Sequence, residues 1–257
     1  MRPCVIAPLR LRGAEFGGPK PLFCVPLVAN DQESLLTQAE AAQGVQPDVV
    51  EWRSDSFDGL SAANVVEVAQ ALRSVLASEP IIFTLRSSME GGAKEISQEA
   101  RKACIGAIVR SGLIDLVDVE LCNGAEFLEP ILTTAHEHGV RVILSFHNFK
   151  STPEKETLAG KISEMVSLGG DIAKIACMPQ NPGDVLRLLQ VTWEAREQFP
   201  AVPLCTMSMG AIGSLSRVAG FLYGSDMAFA VGKVVSAPGQ IPLADARVIT
   251  EALLRYA

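Results

Sequence analysis

Residues 141–176 read RVILSFHNFKSTPEKETLAGKISEMVSLGGDIAKIA and contain one complete strand–helix–strand unit. The runs 141–146 and 171–176 are short and mostly apolar, which is typical of strands buried on both faces of a parallel sheet. Between them, a segment with helical periodicity opens at Pro153 and closes at Gly169-Gly170, the usual placement of proline and glycine around a helix. This stretch therefore predicts two parallel strands joined by a helix.

The same unit recurs along the chain. Apolar runs predict eight strands, at residues 22–28, 48–52, 81–85, 114–120, 141–146, 171–176, 203–208 and 227–231. Further helical patterns lie between them, at residues 34–43 before Gly44, 62–76 after a Ser61 cap, 99–110 before Gly112, 126–138 before Gly139 and 182–199 before Pro200. Eight strand–helix units in about 250 residues predict an α/β protein with the (β/α)8 TIM barrel fold.

An open doubly wound sheet is the alternative architecture. It would normally show fewer units and a glycine-rich turn after the first strand, whereas the turn here reads Val28-Ala29-Asn30-Asp31. Two short β-like pieces around Gly13 and Gly17-Gly18 predict an N-terminal β-hairpin that closes the bottom of the barrel. No linker or low-complexity segment divides the chain, so we predict a single barrel domain over residues 1–257.

The composition limits the possible classes of function. The chain has 257 residues, of which 48% are hydrophobic and 20% charged, and its formal net charge is −7. That charge argues against a nucleic-acid partner but allows an anionic small substrate.

We find no run of about 18 apolar residues that would predict a membrane span, and residues 1–7 lack the apolar core of a signal peptide, so we expect a cytoplasmic protein. Six scattered cysteines are typical of free thiols.

Polar side chains concentrate where the predicted strands end, which is the catalytic edge of such barrels. Because alternate residues of a strand share a face, many of them should project together. The residues are Glu51, Arg53 and Asp55 after strand 2, Arg86 and then Glu90-Gly91-Gly92 after strand 3, Asp118 and Glu120 on strand 4, Ser145 and His147 on strand 5, Lys174 on strand 6, Arg217 after strand 7 and residues 236–240 after strand 8. Taken one at a time, these acids and arginines are as typical of structural ion pairs as of a functional site. Together, five cations at one mouth predict a bound anion, a carboxylate or phosphate held by arginine.

Lys174 lies inside an apolar run, where an unpaired ammonium is costly. A desolvated lysine beside other cations loses its proton and becomes a nucleophile for carbonyls, and His147 on the preceding strand would transfer protons. The pair predicts imine chemistry on a ketone. The arginines would lower the pKa of Lys174, whereas Glu51, Asp118 and Glu90 would raise it, and the sequence leaves that balance open.

Together these segments resemble one family, type I 3-dehydroquinate dehydratase, over nearly the whole chain. The resemblance rests on EWRSD at 51–55, TLRS at 84–87 with EGG at 90–92, DLVDVE at 115–120, SFHN at 145–148, AK at 173–174, SMGAIGSLSR at 208–217 and SAPGQI at 236–241, in the family's order and spacing. It implies a (β/α)8 barrel that needs no metal or nucleotide cofactor, acts on 3-dehydroquinate as its small-molecule partner and forms a homodimer.

The resemblance also implies a role for each matching residue. Lys174 would form an imine with the C3 ketone of 3-dehydroquinate, and His147 would remove the C2 proton and then protonate the departing C1 hydroxyl in a syn elimination. Glu90 would orient and tune His147. The substrate would be bound by Arg217 with Ser236 and Gln240 at its carboxylate and nearby hydroxyls, by Glu51, Arg53 and Arg86 at its ring hydroxyls, and by the network that contains Asp118. Residues 236–240 would act as a lid.

Other classes of protein share parts of this pattern. Another class I Schiff-base barrel of the aldolase type could bind phosphate at residues 210–213, since such sites often follow strands 7 and 8, although this loop leads directly to Arg217. A non-catalytic barrel that binds a carboxylated metabolite would keep the arginines but would have no use for the lysine–histidine pair. A metal-dependent barrel would have to use His136-x-His138, which falls at a predicted helix C-terminus, where histidine is favoured electrostatically.

Overall fold

The computed structural model of the protein describes residues 2–232 and 237–256. The strands are β1 (Leu9–Leu11), β2 (Ala14–Phe16), β3 (Leu22–Leu27), β4 (Val49–Arg53), β5 (Ile81–Thr84), β6 (Leu116–Glu120), β7 (Arg141–Asn148), β8 (Ile172–Cys177), β9 (Leu204–Ser208), β10 (Met227–Val231) and β11 (Ile241–Pro242). The helices are α1 (Gln32–Val45), α2 (Val65–Val75), α3 (Gln98–Ser111), α4 (Ala125–Glu137), α5 (Lys155–Ser167), α6 (Pro182–Gln198), α7 (Ser214–Ala219) and α8 (Leu243–Leu254).

Parallel strands form the centre of the molecule and confirm the predicted barrel. Within the described residues the hydrogen-bonded order is β11-β10-β3-β4-β5-β6-β7-β8-β9. The sheet closes into a barrel where β9 lies beside β10, and side chains take part in this closure. Asp226 accepts a hydrogen bond from the Leu204 amide at 2.8 Å, and Ser225 accepts one from the Thr206 amide at 3.0 Å.

The alternation of side chains along each strand produces two apolar cores. On β3, Phe23, Val25 and Leu27 face outward into the larger core between the strands and helices. Leu22 and Cys24 face inward and belong to a smaller core at the barrel axis, with Val49, Ile82, Leu116, Ile143 and Ile172. This inner core forms a dry base on which the polar residues at the carboxyl ends of the strands are placed.

The antiparallel hairpin β1–β2 covers the amino end of the barrel, as predicted. Ala14 and Phe16 join the inner core, and the Phe16 side chain is completely buried. Gly17 follows with φ of +86°, and a Cβ there would lie 2.1 Å from Val5 Cγ2. Glycine is required at this position because both its backbone conformation and its contact with Val5 exclude a side chain.

Two predicted helix boundaries are wrong. Helix α1 continues through Gly44 to Val45, and Gln46 adopts the left-handed conformation with φ of +51°. Arg247 donates to the Val45 carbonyl at 3.0 Å, so a tertiary contact stabilises the last turn despite its glycine. Helix α2 begins at Val65 instead of residue 62, because the Asn64 side chain accepts from the Ser61 amide at 2.9 Å and holds the preceding residues in a turn.

No helix among the described residues is long and apolar enough to cross a membrane.

Phe16→Ala tests how much the hairpin contributes to the core. We expect the free energy of unfolding to fall by about 3–5 kcal/mol, because the substitution removes a fully buried aromatic ring and leaves a cavity. Ile6→Ala is the control, since Ile6 is 76% exposed, and its effect should stay within about 0.5 kcal/mol. Denaturant unfolding curves measure both changes, and equal effects would show that the hairpin does not contribute to the core.

Candidate active site

One cavity opens at the carboxyl ends of the strands, where the sequence places its charged residues. Its wall combines charged groups with aromatic and methionine side chains. The lining residues are Glu51, Arg53, Arg86, Glu90, Gly91, His147, Phe149, Lys174, Ala176, Met207, Met209, Arg217, Phe229, Ala237 and Gln240. The three arginines, the lysine and the histidine that the sequence places at one mouth therefore lie around one cavity.

Lys174 is buried at the inner end of this cavity, with two carboxylates beside it. Its Nζ donates to Asp118 Oδ2 at 2.7 Å and lies 3.7 Å from Glu51 Oε1. Burial lowers the pKa of the Lys174 amine, but Asp118 and Glu51 outweigh burial and raise that pKa above its ordinary value. The balance left open by the sequence is thus decided by the carboxylates, and the resting side chain is an ammonium. The Phe229 ring also contacts this cation, with Nζ 4.3 Å from its centroid.

Asp118 connects the lysine to a second cation. Its Oδ2 accepts from Lys174 and lies 2.9 Å from Arg86 Nη2, while its Oδ1 accepts from Ser145 Oγ at 2.6 Å. Burial raises the pKa of Asp118, but Arg86 and Lys174 overcome this effect and hold the pKa well below its usual range. Asp118 is therefore ionised, and the two cations share one of its oxygens.

His147 is held by Glu90. Oε2 of Glu90 accepts from the His147 amide at 2.8 Å and lies 2.9 Å from Nδ1 of the ring. Burial lowers the pKa of His147 well below its ordinary value, and the charges of Arg86 and Lys174 lower it further, so the imidazole is neutral. Burial raises the pKa of Glu90 to about 7. When Nδ1–H donates to the Glu90 carboxylate, Nε2 keeps its lone pair and can act as a base.

Arg217 has a different environment, because no carboxylate pairs with it among the residues that the structure describes. Its Nη2 donates to the Pro238 carbonyl at 3.0 Å and its Nη1 to the Phe229 carbonyl at 3.4 Å, while Nε has no hydrogen-bond partner within the same residues. Burial lowers the pKa of Arg217 to about 10. A buried guanidinium without a counter-charge is costly, and its planar fork suits a carboxylate. This part of the cavity is therefore suited to an anion.

Of the other predicted site residues, some line the cavity and some do not. Glu51, Arg53, Arg86 and Gln240 line the cavity. Asp118 does not line it but contacts Lys174 from behind the wall. Ser236 lies outside the described residues.

Asp55 was expected to share a face with Glu51 and Arg53, and this prediction is wrong. Strand β4 ends at Arg53, and the chain then forms a 3-10 turn over Ser54–Ser56. Asp55 pairs with Arg53 Nε at 2.9 Å and accepts from the Ala93 amide at 2.9 Å. It therefore holds Arg53 and the loop after β5 in place without facing the cavity.

The sequence prediction assigned no role to several residues that shape the site. Met207 and Phe229 could have been found, since each follows an inward residue of its strand, Cys205 or Met227, by two positions. Phe149 stacks near His147, with ring centroids 6.5 Å apart, and it lies beyond the end of its strand. Arg101 on α3 pairs with Glu120, and its position in the sequence gives no sign of this contact.

The structure also bears on the metal and phosphate alternatives. His136 pairs with Asp171 at 2.9 Å, whereas His138 Nδ1 faces the Thr134 carbonyl at 2.9 Å, so the two histidines have separate partners. Among the described residues, no group of three or more His, Cys, Asp or Glu side chains is arranged to hold a metal ion. In the loop after β9, the Gly210 amide donates to the Pro238 carbonyl at 3.0 Å and is not free to bind phosphate.

The fold and this cavity define a (β/α)8-barrel protein whose site is centred on a buried lysine. A family model for type I 3-dehydroquinase matches residues 23–255. A 3-dehydroquinate dehydratase of Aromatoleum aromaticum is 43% identical over 241 residues, which cover 93% of this chain and 92% of that protein. The chain belongs to the type I 3-dehydroquinase family.

Solved structures agree with this assignment. The crystal structure of 3-dehydroquinate dehydratase from Geobacillus kaustophilus has a TM-score of 0.96 and 41% identity, with 100% of both chains covered. A type I 3-dehydroquinate dehydratase from Clostridium difficile, solved with covalent modified comenic acid, has a TM-score of 0.93 and 36% identity. That comparison covers 97% of this chain and 98% of the other.

Asp118→Asn tests the electrostatic balance at Lys174. With the carboxylate gone, burial and Arg86 should dominate, so the pKa of Lys174 should fall. The pH titration of the Lys174 ε-carbon resonance, in protein labelled with ¹³C-lysine, measures the change. Asp58→Asn is the matched control, because Asp58 is exposed and pairs with Lys94. A Lys174 titration that is the same in both variants would contradict the dominant role of Asp118.

Proposed function

We propose that the protein converts 3-dehydroquinate to 3-dehydroshikimate, with Lys174 forming an imine and His147 transferring the protons. The observation that carries this proposal is one cavity holding three complementary groups: a buried amine, a neutral imidazole and a guanidinium that has no carboxylate partner among the described residues. Relatives at about 40% identity over nearly the full chain bear the name 3-dehydroquinate dehydratase, which supports the choice of substrate.

Lys174 begins the reaction by attacking the C3 carbonyl of the substrate. The resting ammonium must first lose a proton, and the neutral His147 lines the same cavity and can accept it. As the carbinolamine forms and dehydrates, the imidazolium returns this proton to the departing hydroxyl, so water leaves, a protonated imine remains and His147 is neutral again. The protonated imine withdraws electrons from the adjacent C2–H bond far more strongly than the ketone does. Asp118 and Glu51 would stabilise the positive charge, because both already lie beside Nζ.

His147 carries out the elimination in two proton transfers. Its Nε2 removes the C2 proton, so the imine becomes an enamine. The enamine then expels the C1 hydroxyl, and the imidazolium protonates it to give water. Glu90 stabilises the imidazolium between these steps through its contact with Nδ1. Hydrolysis of the product imine restores Lys174.

Arg217 would hold the substrate carboxylate. This assignment follows from its burial and its missing counter-charge, since a bound carboxylate would supply the charge that the described residues do not. The Pro238 carbonyl, which Arg217 contacts, belongs to the loop before β11, so carboxylate binding and the position of this loop are connected. Gln240 from the same loop also lines the cavity.

An aldolase-type barrel and a non-catalytic metabolite-binding barrel share fewer of these features. The first would need a phosphate site, and the Gly210 amide is occupied by Pro238. The second would not need the contact between Glu90 and Nδ1 of His147.

Borohydride trapping with 3-dehydroquinate is the direct test, read by intact mass and peptide mapping. The parent protein should give a reduced adduct on Lys174. His147→Ala should still give the adduct, but its dehydration rate should fall by roughly 100- to 10,000-fold, because the general acid–base group is lost. Formation of the conjugated enone product, followed by its absorbance, measures that rate.

Lys174→Met controls the trapping experiment and should give no adduct. No adduct on a folded parent protein would count against the imine mechanism, and the same trap with phosphorylated aldehydes and ketones would then test the aldolase alternative. Dehydration by His147→Ala at the parental rate would remove the histidine from the mechanism.

Arg217→Met tests the carboxylate contact. We expect KM to rise by about 100-fold with a smaller change in kcat, since the lost interaction is a buried charged pair worth about 3 kcal/mol. Arg141→Met is the control, because Arg141 begins β7 at the opposite end of the barrel and pairs with Asp171. Steady-state kinetics measure both variants, and a parental KM in Arg217→Met would remove its proposed role.

A further inference from the structure

A row of buried charges of alternating sign leads from the cavity to helix α3. Its members, in order, are Lys174, Asp118, Arg86, Glu120 and Arg101. Arg86 Nη1 lies 3.1 Å from Glu120 Oε1, and Arg101 Nη2 donates to Glu120 Oε2. Arg101 is only 3% exposed and does not line the cavity. Arg101 is thus separated from Lys174 by Glu120, Arg86 and Asp118.

Each oxygen of Glu120 accepts hydrogen bonds from two groups. Oε1 also accepts from the Ser87 amide at 2.7 Å, and Oε2 accepts from Asn123 Nδ2 at 2.9 Å. Arg101 is fixed by its own contacts, since Nη1 donates to Asn123 Oδ1 at 2.7 Å and two of its nitrogens reach the Leu85 carbonyl. The Arg101 guanidinium therefore has one defined position, in which it neutralises Glu120.

We propose that Arg101 is a positioning residue for the chemistry of Lys174: by neutralising Glu120, it leaves Arg86 paired with Asp118 and so eases removal of the proton from the lysine. This inference rests on the proposed imine function and extends it to a residue outside the cavity.

One oxygen of Asp118 contacts both Arg86 and Lys174. Asp118 Oδ2 is 2.7 Å from Lys174 Nζ and 2.9 Å from Arg86 Nη2, so Arg86 competes with the ammonium for the same acceptor. Without the Arg101 charge, the full charge of Glu120 would act on Arg86 alone and draw it away from Asp118. Asp118 would then hold the ammonium more tightly, because little solvent screens charges in this interior.

The other groups around Lys174 do not depend on Arg101. Glu51 on β4, His147 on β7, Cys24 on β3 and Cys205 on β9 have electrostatic contacts with Lys174 or its carboxylates. None of these residues hydrogen-bonds Arg101 within the described part of the chain. A change at Arg101 should therefore reach Lys174 through Glu120, Arg86 and Asp118.

The test is the pH dependence of imine formation, measured as the single-turnover rate of borohydride-trappable adduct with 3-dehydroquinate and normalised to the trappable sites. In Arg101→Gln, which keeps a hydrogen-bond donor but loses the charge, the profile should move about one pH unit towards alkaline values, a tenfold lower rate at pH 7. Arg101→Lys keeps the charge and should retain a profile close to that of the parent.

The double variant Arg101→Gln/Glu120→Gln distinguishes an electrostatic role of Arg101 from a structural one. It removes both members of the outer pair, so no unpaired carboxylate draws on Arg86, and its profile should return towards that of the parent. Arg110→Met, on the exposed face of the same helix, is the control and should leave the profile unchanged. Thermal unfolding of every variant records the structural cost separately.

Two results would overturn the inference. One is a parental pH profile in Arg101→Gln, with only stability or the number of trappable sites reduced, which is the behaviour of a purely structural arginine. The other is a double variant shifted as far as the single one, or farther. If Arg101→Gln does not fold, an unshifted profile in Arg101→Met has the same meaning. A parent protein that gives no adduct would instead contradict the proposed function itself.

Discussion

A buried ammonium needs carboxylate partners, and the polar interior of this barrel follows from providing them to Lys174. Asp118 and Glu51 stabilise the cation, but each brings another buried charge that must be matched. Arg86 matches Asp118 and then requires Glu120, which in turn pairs with Arg101 on the helical layer. One lysine on β8 thus accounts for the types of charged residue on β4, β6 and α3 and on the loop after β5.

The apolar part of the structure strengthens the electrostatic interactions between these charges. Below the cavity, the inner core and Phe16 of the hairpin fill the barrel axis and lie between Lys174 and the amino end of the barrel. In such an environment electrostatic interactions are larger than in water. The same burial acts oppositely on two neighbours, because it keeps His147 neutral and brings the pKa of Glu90 to about 7. The packing that buries these two residues thus shifts the pKa values of the proposed base, His147, and of the residue proposed to orient it, Glu90.

Arg86 and Arg217 differ in how their buried charges are neutralised, and this difference underlies the proposed role of Arg217 in binding a ligand. Both are buried arginines on the cavity wall. Arg86 has two carboxylate partners, whereas Arg217, within the described residues, hydrogen-bonds carbonyl oxygens and a thioether. The pKa of Arg86 is raised by its partners, in spite of burial, whereas burial lowers that of Arg217. Membership of the type I 3-dehydroquinase family is consistent with our proposal that Arg217 binds the carboxylate of a small acid.

The sequence by itself determined the barrel, the bottom hairpin and the set of polar residues at the strand ends. These follow from local rules, because recurring strand–helix periodicity fixes the layers and alternation fixes which side chains point inward. The resemblance suggested the roles that we propose for Lys174, His147 and Glu90. Tertiary structure decided what depends on distance between remote segments. It set the direction in which the pKa of Lys174 moves, turned Asp55 away from the cavity and extended α1 through Gly44. It also joined Arg101 to Glu120, 19 residues along the chain. Pairing of buried charges depends on three-dimensional separation, and no local pattern in the sequence encodes that separation.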